Sequence, residues 1–210
     1  MRRRLFIIGA GGFGRELEGY LSEIPDATKN YELLGYLDDN PDALNGKYSE
    51  YKVVGNITSY PLEKKDLVLL AIADIPTKVR IYNILKDKVS FFSFISKNTS
   101  IGPNVKIGEG AIVCPGVKLG TDMELGKMVS LNVDTIIGHD AYIGDFCSLM
   151  PNVDIGGGAI IGEQVFMGTK ATIAPRLKIT SATYLGIGSV SIKDTTEPGT
   201  YFGNPARRMR

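Results

Sequence analysis

The one histidine of this 210-residue chain, His139, stands directly before an acidic residue, Asp140. A neutral imidazole has a pKa of about 6.5 in model peptides, so it can accept a proton near neutral pH. An adjacent carboxylate can fix the tautomer of the ring and raise its basicity. The pair is therefore a candidate general base, and a surface histidine without a role is the alternative. A single histidine also excludes zinc centres built on several imidazoles, and no metal is expected.

A glycine-rich stretch is the second pattern that could do chemistry. Residues 9–14 read G-A-G-G-F-G between an apolar run and a helical segment, and Asp38-Asp39 follows further on. Glycines at this spacing let backbone N–H groups approach a pyrophosphate at a helix N-terminus. Taken alone, the motif predicts NAD, but about ninety residues make only half of a full dinucleotide fold. We therefore expect a nucleotide-linked ligand such as a nucleotide sugar; a glycine-rich turn that binds nothing is the alternative.

Strand and helix segments alternate through the first part of the chain. Apolar runs typical of strands lie at residues 4–8, 31–37, 52–54 and 67–73. One helical segment follows the glycine stretch and runs to about residue 24, and a second spans residues 76–88. This alternation predicts a small parallel sheet covered by helices. Residues 1–94 are therefore expected to form a small Rossmann-like α/β domain that binds the nucleotide sugar.

From residue 95 onward the sequence repeats every six residues. Steps of six from Ile95 to Leu185 meet an aliphatic residue or Met each time, and Gly commonly follows. Neither a 3.6- nor a 2-residue period produces this pattern. It predicts short strands and corners, three of which close a coil of 18 residues, with the aliphatic side chains inside. The pattern resembles the left-handed parallel β-helix of hexapeptide-repeat acyltransferases, so residues 95–210 are expected to form this all-β domain and a C-terminal tail.

The third and fourth positions of each hexad fall at the corners of the coil. His139 and Asp140 hold these positions, so both are expected to face outward. Because one coil is 18 residues long, Gly157 should stack about 4.8 Å from His139, where its N–H could stabilise an oxyanion. Thr169 and Ile187 should stack in the same way on the next edge. They could line a cofactor groove, or be corner residues without a role.

Composition narrows the classes of partner. The chain has 24 Lys and Arg against 23 Asp and Glu, so its net charge of +1 favours neither nucleic acid nor an anionic membrane. No apolar run approaches the roughly 20 residues of a transmembrane helix, so no membrane insertion is expected. Cys114 and Cys147 fall at inward-facing positions of the repeat, and two cysteines without a disulfide framework favour a cytoplasmic location.

Together, the two halves resemble the bacterial sugar O-acyltransferase family of the sialic-acid O-acetyltransferase type. Its relatives include acetyl-CoA-dependent N-acetyltransferases of nucleotide-linked 4-amino-4,6-dideoxy sugars. The resemblance rests on IIGAGGFGRE, YLDD, AIAD, IIGHDAYIGDFCSLMPNV and YFGNPARRM, which cover nearly the whole chain. It implies that the β-helix forms a homotrimer, with acetyl-CoA as co-substrate between neighbouring helices.

The resemblance also implies a role for each matching position. His139 would be the general base, Asp140 the acid that tunes it, and Asn132 a residue near the acceptor sugar. The oxyanion and acetyl-CoA site would comprise Ser148, Gly157, Thr169 and Ile187. The nucleotide-sugar site would comprise Gly9, Gly11, Gly12, Phe13, Gly14, Arg15, Asp38, Asp39 and Ala73. Relatives commonly carry His in place of Phe13, and some in place of Ser148, so this chain lacks those two donors.

The function expected from these observations is acetylation of a sugar amine in bacterial glycan biosynthesis. Acetyl-CoA would acetylate the 4-amino group of a nucleotide-linked 4-amino-4,6-dideoxy sugar, with UDP expected ahead of GDP, in a direct ternary complex. O-acetylation of a sialic acid or another sugar hydroxyl stays open, as does a non-catalytic nucleotide-binding β-helix module. The terminal Arg207, Arg208 and Arg210 either meet coenzyme A phosphates or form a solvated basic tail.

Overall fold

The computed structural model describes residues 2–209, which divide into one compact unit ending at Phe92 and a second beginning at Ser93. In the first unit strands and helices alternate as predicted. The elements are β1 (Arg3–Ile8), α1 (Gly12–Ser22), a 3₁₀ turn (Asp26–Thr28), β2 (Tyr31–Leu37), β3 (Val53–Gly55), β4 (Leu67–Leu70), α2 (Ile75–Leu85) and β5 (Ser90–Phe91). The strands are parallel in the order β3-β2-β1-β4-β5, so the chain changes direction across the sheet between β1 and β4.

The two central strands explain why this sheet forms. In β1 the side chains of residues 5–8 are fully buried, and those of β4 are at most 5% exposed. Continuous apolar runs of this kind are typical of parallel strands covered on both faces. The strand predicted over residues 67–73 is too long, because the chain leaves the sheet after Leu70. Helix α2 then begins at Ile75, where the Asp74 side chain accepts a hydrogen bond from the backbone N–H of Thr77 at 2.9 Å.

The second unit is the predicted left-handed parallel β-helix. Two-residue strands pair in parallel with strands 18 residues away, as Lys118 does with Ile136 and Ile136 with Asp154. Face 1 comprises Ser100–Ile101, Lys118–Leu119, Ile136–Ile137, Asp154–Ile155, Thr172–Ile173 and Val190–Ser191. Face 2 comprises Lys106–Ile107, Glu124–Leu125, Tyr142–Ile143, Ile160–Ile161 and Lys178–Ile179. Face 3 comprises Phe94–Ile95, Ile112–Val113, Ser130–Leu131, Ser148–Leu149, Phe166–Met167, Thr183–Leu185, Gly199–Phe202 and Arg207–Arg208.

The repeating aliphatic residues fill the prism, as the hexads predict. From Val113 to Leu185 each of them is at most 3% exposed. The prediction is wrong for the first coil, where Ile95 is 40% exposed and Ile101 is 44% exposed. A residue in the first coil has a neighbouring coil on one side only, so half of its packing surface is missing. The inward-facing Cys114 and Cys147 are buried, as the repeat predicts, and neither forms a disulfide.

The corners depend on left-handed backbone at the fourth position of each hexad from Ile101 to Leu185. Asp140 has φ +57°, and its counterparts one coil away, Asp122 and Gly158, have φ +55° and +69°. Asn, Asp and Gly tolerate this conformation best, which explains why they are frequent there. The third and fourth positions are thus the turn residues that the sequence predicts, and they project the candidate catalytic side chains outward.

The C-terminal tail folds back on face 3. Gly199–Phe202 pairs in parallel with Thr183–Leu185. Arg207–Arg208 then pairs antiparallel with Gly199–Phe202. The Arg208 Nη1 atom lies 2.6 Å from Glu197 Oε2, so this arginine is held within the tail. Arg210 lies outside the described residues. Residues 2–209 contain no helix long and apolar enough to cross a membrane. They also contain no group of three or more His, Cys, Asp or Glu side chains that could hold a metal ion.

Candidate active site and nucleotide-binding cavity

His139 and Asp140 form a hydrogen-bonded pair at the corner between face 1 and face 2. The imidazole Nδ1 lies 2.6 Å from Asp140 Oδ2, and both side chains are about two-thirds exposed. The left-handed backbone of Asp140 is held by its N–H, which donates to Thr121 O at 3.0 Å, and it turns the carboxylate toward the ring. Because a carboxylate accepts the Nδ1 proton, Nε2 is left as the basic nitrogen.

Gly157 lies against the imidazole, one coil further along. A β-carbon on Gly157 would lie 2.6 Å from His139 Nε2 and 2.9 Å from Cε1, closer than real contacts allow. The neighbouring Gly158 N–H donates to His139 O at 2.7 Å and ties the two corners together. The carbonyl of Gly157 accepts from Arg176 N–H, but its own N–H has no acceptor in the described part of the chain. The basic nitrogen thus lies against Gly157, a residue whose N–H is not engaged within the described part of the chain.

The other residues predicted for the acetyl-CoA site lie elsewhere on the prism. Thr169 and Ile187 stack at the corner between face 3 and face 1, where Gly188 N–H donates to Thr169 O at 2.9 Å and Ile187 is 62% exposed. Asn132 precedes the same corner, and its Oδ1 accepts from the N–H of Val133 at 2.7 Å. Ser148 is fully buried in the middle of face 3.

One copy of the chain therefore does not bring all the predicted residues together. The corner with His139 and the corner with Thr169 lie at opposite edges of face 1, one hexad apart along each coil. Six residues span at most about 20 Å when extended. Ser148 lies on the face opposite the corner of His139. The structure unites His139, Asp140 and Gly157, and it separates them from Ser148, Thr169, Ile187 and Asn132.

A cavity of about 430 Å³ lies in the first unit at the carboxyl ends of β1, β2 and β4. Ligands of parallel sheets bind at this end, where the strand order reverses. The cavity is lined by Gly9, Gly11, Gly12, Phe13, Asp38, Asp39, Ile57, Ala71, Ile72, Ala73, Asp74, Thr77, Arg80 and Ile81. Seven of the nine residues predicted to bind the nucleotide sugar are among them.

The glycine stretch forms one wall of this cavity with uncapped N–H groups. Gly11 is the N-cap of α1 and has no side chain to offer, and the first intrahelical bond runs from Arg15 N–H to Gly11 O at 3.1 Å. The N–H groups of Gly12, Phe13 and Gly14 have no acceptor in the described part of the chain and can donate to an anion. A β-carbon on Gly14 would lie 2.0 Å from Gly9 O, so Gly14 is required for the close approach of helix and strand.

The acidic pair is tied to the loops around the cavity. Asp38 Oδ2 accepts from Ala10 N–H at 2.8 Å, and its Oδ1 accepts from Asn40 N–H at 2.8 Å. Asp39 Oδ1 accepts from Asn56 Nδ2 at 2.7 Å. Carboxylate oxygens have further lone pairs, so both residues can still accept from a nucleobase or ribose. Asp38 also holds the glycine loop in shape, which the sequence alone does not reveal.

The structure differs from the predicted site in two respects. Gly14 and Arg15 do not line the cavity, and the Arg15 Nε atom is buried without a hydrogen-bond partner. The predicted site also lacks the second wall of the cavity, which is formed by Thr77, Arg80 and Ile81 of α2. Its signal was the helix beginning near Pro76 after an apolar strand, because the first turns of such a helix face the carboxyl end of the sheet.

Each half of the chain is similar to a known protein family. Residues 4–85 match the family model of the PglD N-terminal domain, and residues 134–179 match that of the bacterial transferase hexapeptide with six repeats. Among solved structures, the acetyltransferase domain of PglB from Neisseria gonorrhoeae FA1090 in complex with acetyl coenzyme A is 24% identical. Its TM-score is 0.86, and the match covers 100% of this chain and 100% of that one. This likeness shows the fold.

Two further structures are slightly more similar in sequence. PerB from Caulobacter crescentus, in complex with CoA and GDP-perosamine, is 26% identical with a TM-score of 0.83, over 97% of this chain and 95% of that one. WeeI from Acinetobacter baumannii AYE is 26% identical with a TM-score of 0.84, over 99% and 100% of the two chains. These matches confirm the predicted fold class and enzyme class. The chain is an acyltransferase in which residues 4–85 are similar to the PglD N-terminal domain and residues 134–179 to bacterial transferase hexapeptide repeats.

Proposed function

We propose that this enzyme transfers the acetyl group of acetyl-CoA to the 4-amino group of a nucleotide-linked 4-amino-4,6-dideoxy sugar. The observation that carries the proposal is the His139–Asp140 pair with the Gly157 N–H beside it. The likeness to PerB, which was solved with CoA and GDP-perosamine, supports an amino sugar as the acceptor. The cavity beside the glycine loop supports a nucleotide as its carrier.

The geometry suggests how the reaction proceeds without a covalent enzyme intermediate. His139 Nε2 accepts a proton from the sugar amine as the nitrogen attacks the thioester carbonyl, so a C–N bond forms. The Gly157 N–H donates to the oxyanion of the tetrahedral intermediate. The C–S bond then breaks, and the imidazolium returns the proton to the departing coenzyme A sulfur. The hydrogen bond from Nδ1 to Asp140 keeps the ring in the required tautomer throughout.

We also propose that a homotrimer completes the site. The predicted acetyl-CoA residues Thr169 and Ile187 lie one face away from His139 in a single copy. A neighbouring copy that places this corner beside His139 would form one groove from two chains. Face 2 carries exposed apolar side chains near the His139 corner, Tyr142 at 40% and Ile160 at 44%, which a partner would cover.

A thiol-release assay with acetyl-CoA tests the reaction directly. The acceptors are UDP- and GDP-linked 4-amino-4,6-dideoxy sugars, their 4-hydroxy counterparts and free sialic acid. Turnover on an amino sugar alone supports the proposal and identifies the nucleotide. Turnover on hydroxyl acceptors alone replaces it with the O-acetyltransferase. Absence of both turnover and acetyl-CoA binding in calorimetry favours a non-catalytic module.

The same assay tests the base. His139→Ala is expected to lower kcat by about 10²- to 10⁴-fold, the usual contribution of a general base. Binding of the nucleotide sugar should stay unchanged, because the cavity lies in the other compact unit. A variant that keeps near-normal kcat would overturn the assigned mechanism.

A further inference from the structure

The cavity in the first unit has a second wall that faces the glycine loop. Thr77, Arg80 and Ile81 line it from α2, and their spacing of three and four residues places them on one face of the helix. The opposite wall is backbone N–H at the start of α1, together with the half-buried ring of Phe13, which has no hydrogen-bond donor. A ligand bound in the cavity therefore contacts the start of α1 on one side and α2 on the other.

The charges around the cavity are unevenly distributed. Asp38, Asp39 and Asp74 line it, and among the described lining residues Arg80 is the one cation. The side-chain and backbone hydrogen bonds from Thr77 hold the pKa of the Asp74 carboxyl below its usual range, so that group stays charged at neutral pH. The negative charge of an anionic ligand would therefore need a positive charge within the cavity. The N–H groups of the glycine loop supply only partial positive charges.

The guanidinium of Arg80 is available for this task. Arg80 is exposed, and no carboxylate or hydrogen-bond acceptor in the described part of the chain engages it. Arg15 does not line the cavity, and its Nε atom is enclosed without a partner. A guanidinium can bind two phosphate oxygens at once, which an ammonium group cannot match in geometry.

We propose that Arg80 binds the diphosphate of the nucleotide-linked substrate from the side opposite the glycine loop. This inference rests on the proposed function, since it assigns a residue to the same nucleotide site. The diphosphate would lie between the N–H groups at the start of α1 and the guanidinium on α2. Arg80 then determines affinity for diphosphate-linked substrates and takes no part in the acetyl transfer.

Calorimetric titration of the full chain with UDP and with GDP tests the assignment. Arg80→Ala is expected to weaken binding of the preferred nucleotide by about 10- to 100-fold, as for loss of a hydrogen bond between charged groups. Arg80→Lys should restore part of the lost affinity, because an ammonium group restores the positive charge but cannot bind two phosphate oxygens in the geometry of a guanidinium. The matched control is Lys86→Ala, an exposed cation at the end of the same helix that does not line the cavity. Its affinity should equal that of the unmodified chain.

The outcomes separate this inference from the proposed function. If the unmodified chain binds neither UDP nor GDP, the nucleotide site itself is wrong, and the assignment of Arg80 is wrong with it. If the unmodified chain binds a nucleotide and Arg80→Ala binds equally well, the assignment of Arg80 alone is overturned. Ligand-observed NMR with the corresponding nucleoside, which has no phosphates, should show equal binding to both proteins. A loss with the nucleoside would instead indicate a distorted cavity and contradict a diphosphate contact.

Discussion

The imidazole of His139 lies over the α-carbon of Gly157, one coil further along the β-helix. A β-carbon there would come within 2.6 Å of Nε2. The two glycines at this corner are required for different reasons. Gly158 has φ +69°, a left-handed backbone that favours glycine, whereas Gly157 is required because a side chain would displace the ring. The imidazole of His139 can therefore hold its position only because residue 157 has no side chain.

We expect Gly157→Ala to lower kcat by about 10- to 100-fold, because the methyl group would push the imidazole from its place. The melting temperature should change little, since an exposed ring can move without disturbing the core. The thiol-release assay and thermal denaturation measure the two effects. In a His139→Ala background there is no ring to displace, so adding Gly157→Ala should lower kcat no further. Full activity of Gly157→Ala in the unmodified background would contradict the observed ring position.

Asp140→Asn is expected to lower kcat by about 10- to 100-fold while binding of the nucleotide sugar is unchanged. Asn tolerates the left-handed backbone of this position, so the corner should keep its shape while the imidazole loses its carboxylate partner. The matched control is Asp122→Asn, which changes the same hexad position one coil earlier, where no histidine is adjacent. Steady-state kinetics of both variants measure the effect. Equal losses in the two variants would assign the effect to the corner rather than to His139.

The Arg4–Asp66 pair makes stability of the first unit depend on pH. Asp66 is fully buried and accepts from Arg4 Nε at 2.7 Å and from Nη2 at 2.5 Å. Burial alone would raise the pKa of Asp66, but the hydrogen bonds from Arg4 and from the Glu63 N–H hold it below its usual range. A lowered pKa in the folded state stabilises the fold above the unfolded pKa of about 3.9, and this contribution is lost as the pH falls through the folded pKa.

We therefore expect Asp66→Asn to lower the free energy of unfolding by about 2 kcal/mol at pH 7. The difference from the unmodified chain should shrink as the pH falls below about 4, because the carboxyl of the unfolded chain becomes protonated there and the native carboxyl follows at lower pH. Urea unfolding followed by circular dichroism at pH 7, 4 and 3 measures it. Because Arg4 is one-third exposed, solvent weakens the pair and keeps the expected effect modest. A difference that stays constant down to pH 3 would exclude titration of Asp66 as the cause.

The sequence predicts the β-helix well because its signal is local and repeated. Each hexad carries an inward aliphatic residue and a corner, so the position of His139 beside Gly157 follows from counting 18 residues. Ile101 departs from the pattern because its exposure depends on where the stack begins, which a repeat does not indicate. Arg80 was missed for a different reason. The start of a helix near Pro76 indicates that α2 faces the cavity, but no motif within this helix identifies Arg80 as the residue that lines it.

The first coil, which has a neighbouring coil on one side only, determines how the β-helix unfolds. Each coil packs only on its neighbours, so the terminal coil containing Ile95 and Ile101 has the fewest contacts and opens at the lowest cost in free energy. Amide hydrogen exchange should thus spread inward from this end, coil by coil. The corner of His139 has two stacked corners before it, at Pro103 and Thr121, and two after it, at Gly157 and Pro175. Fraying that starts at this end therefore reaches the catalytic corner only after two coils have opened.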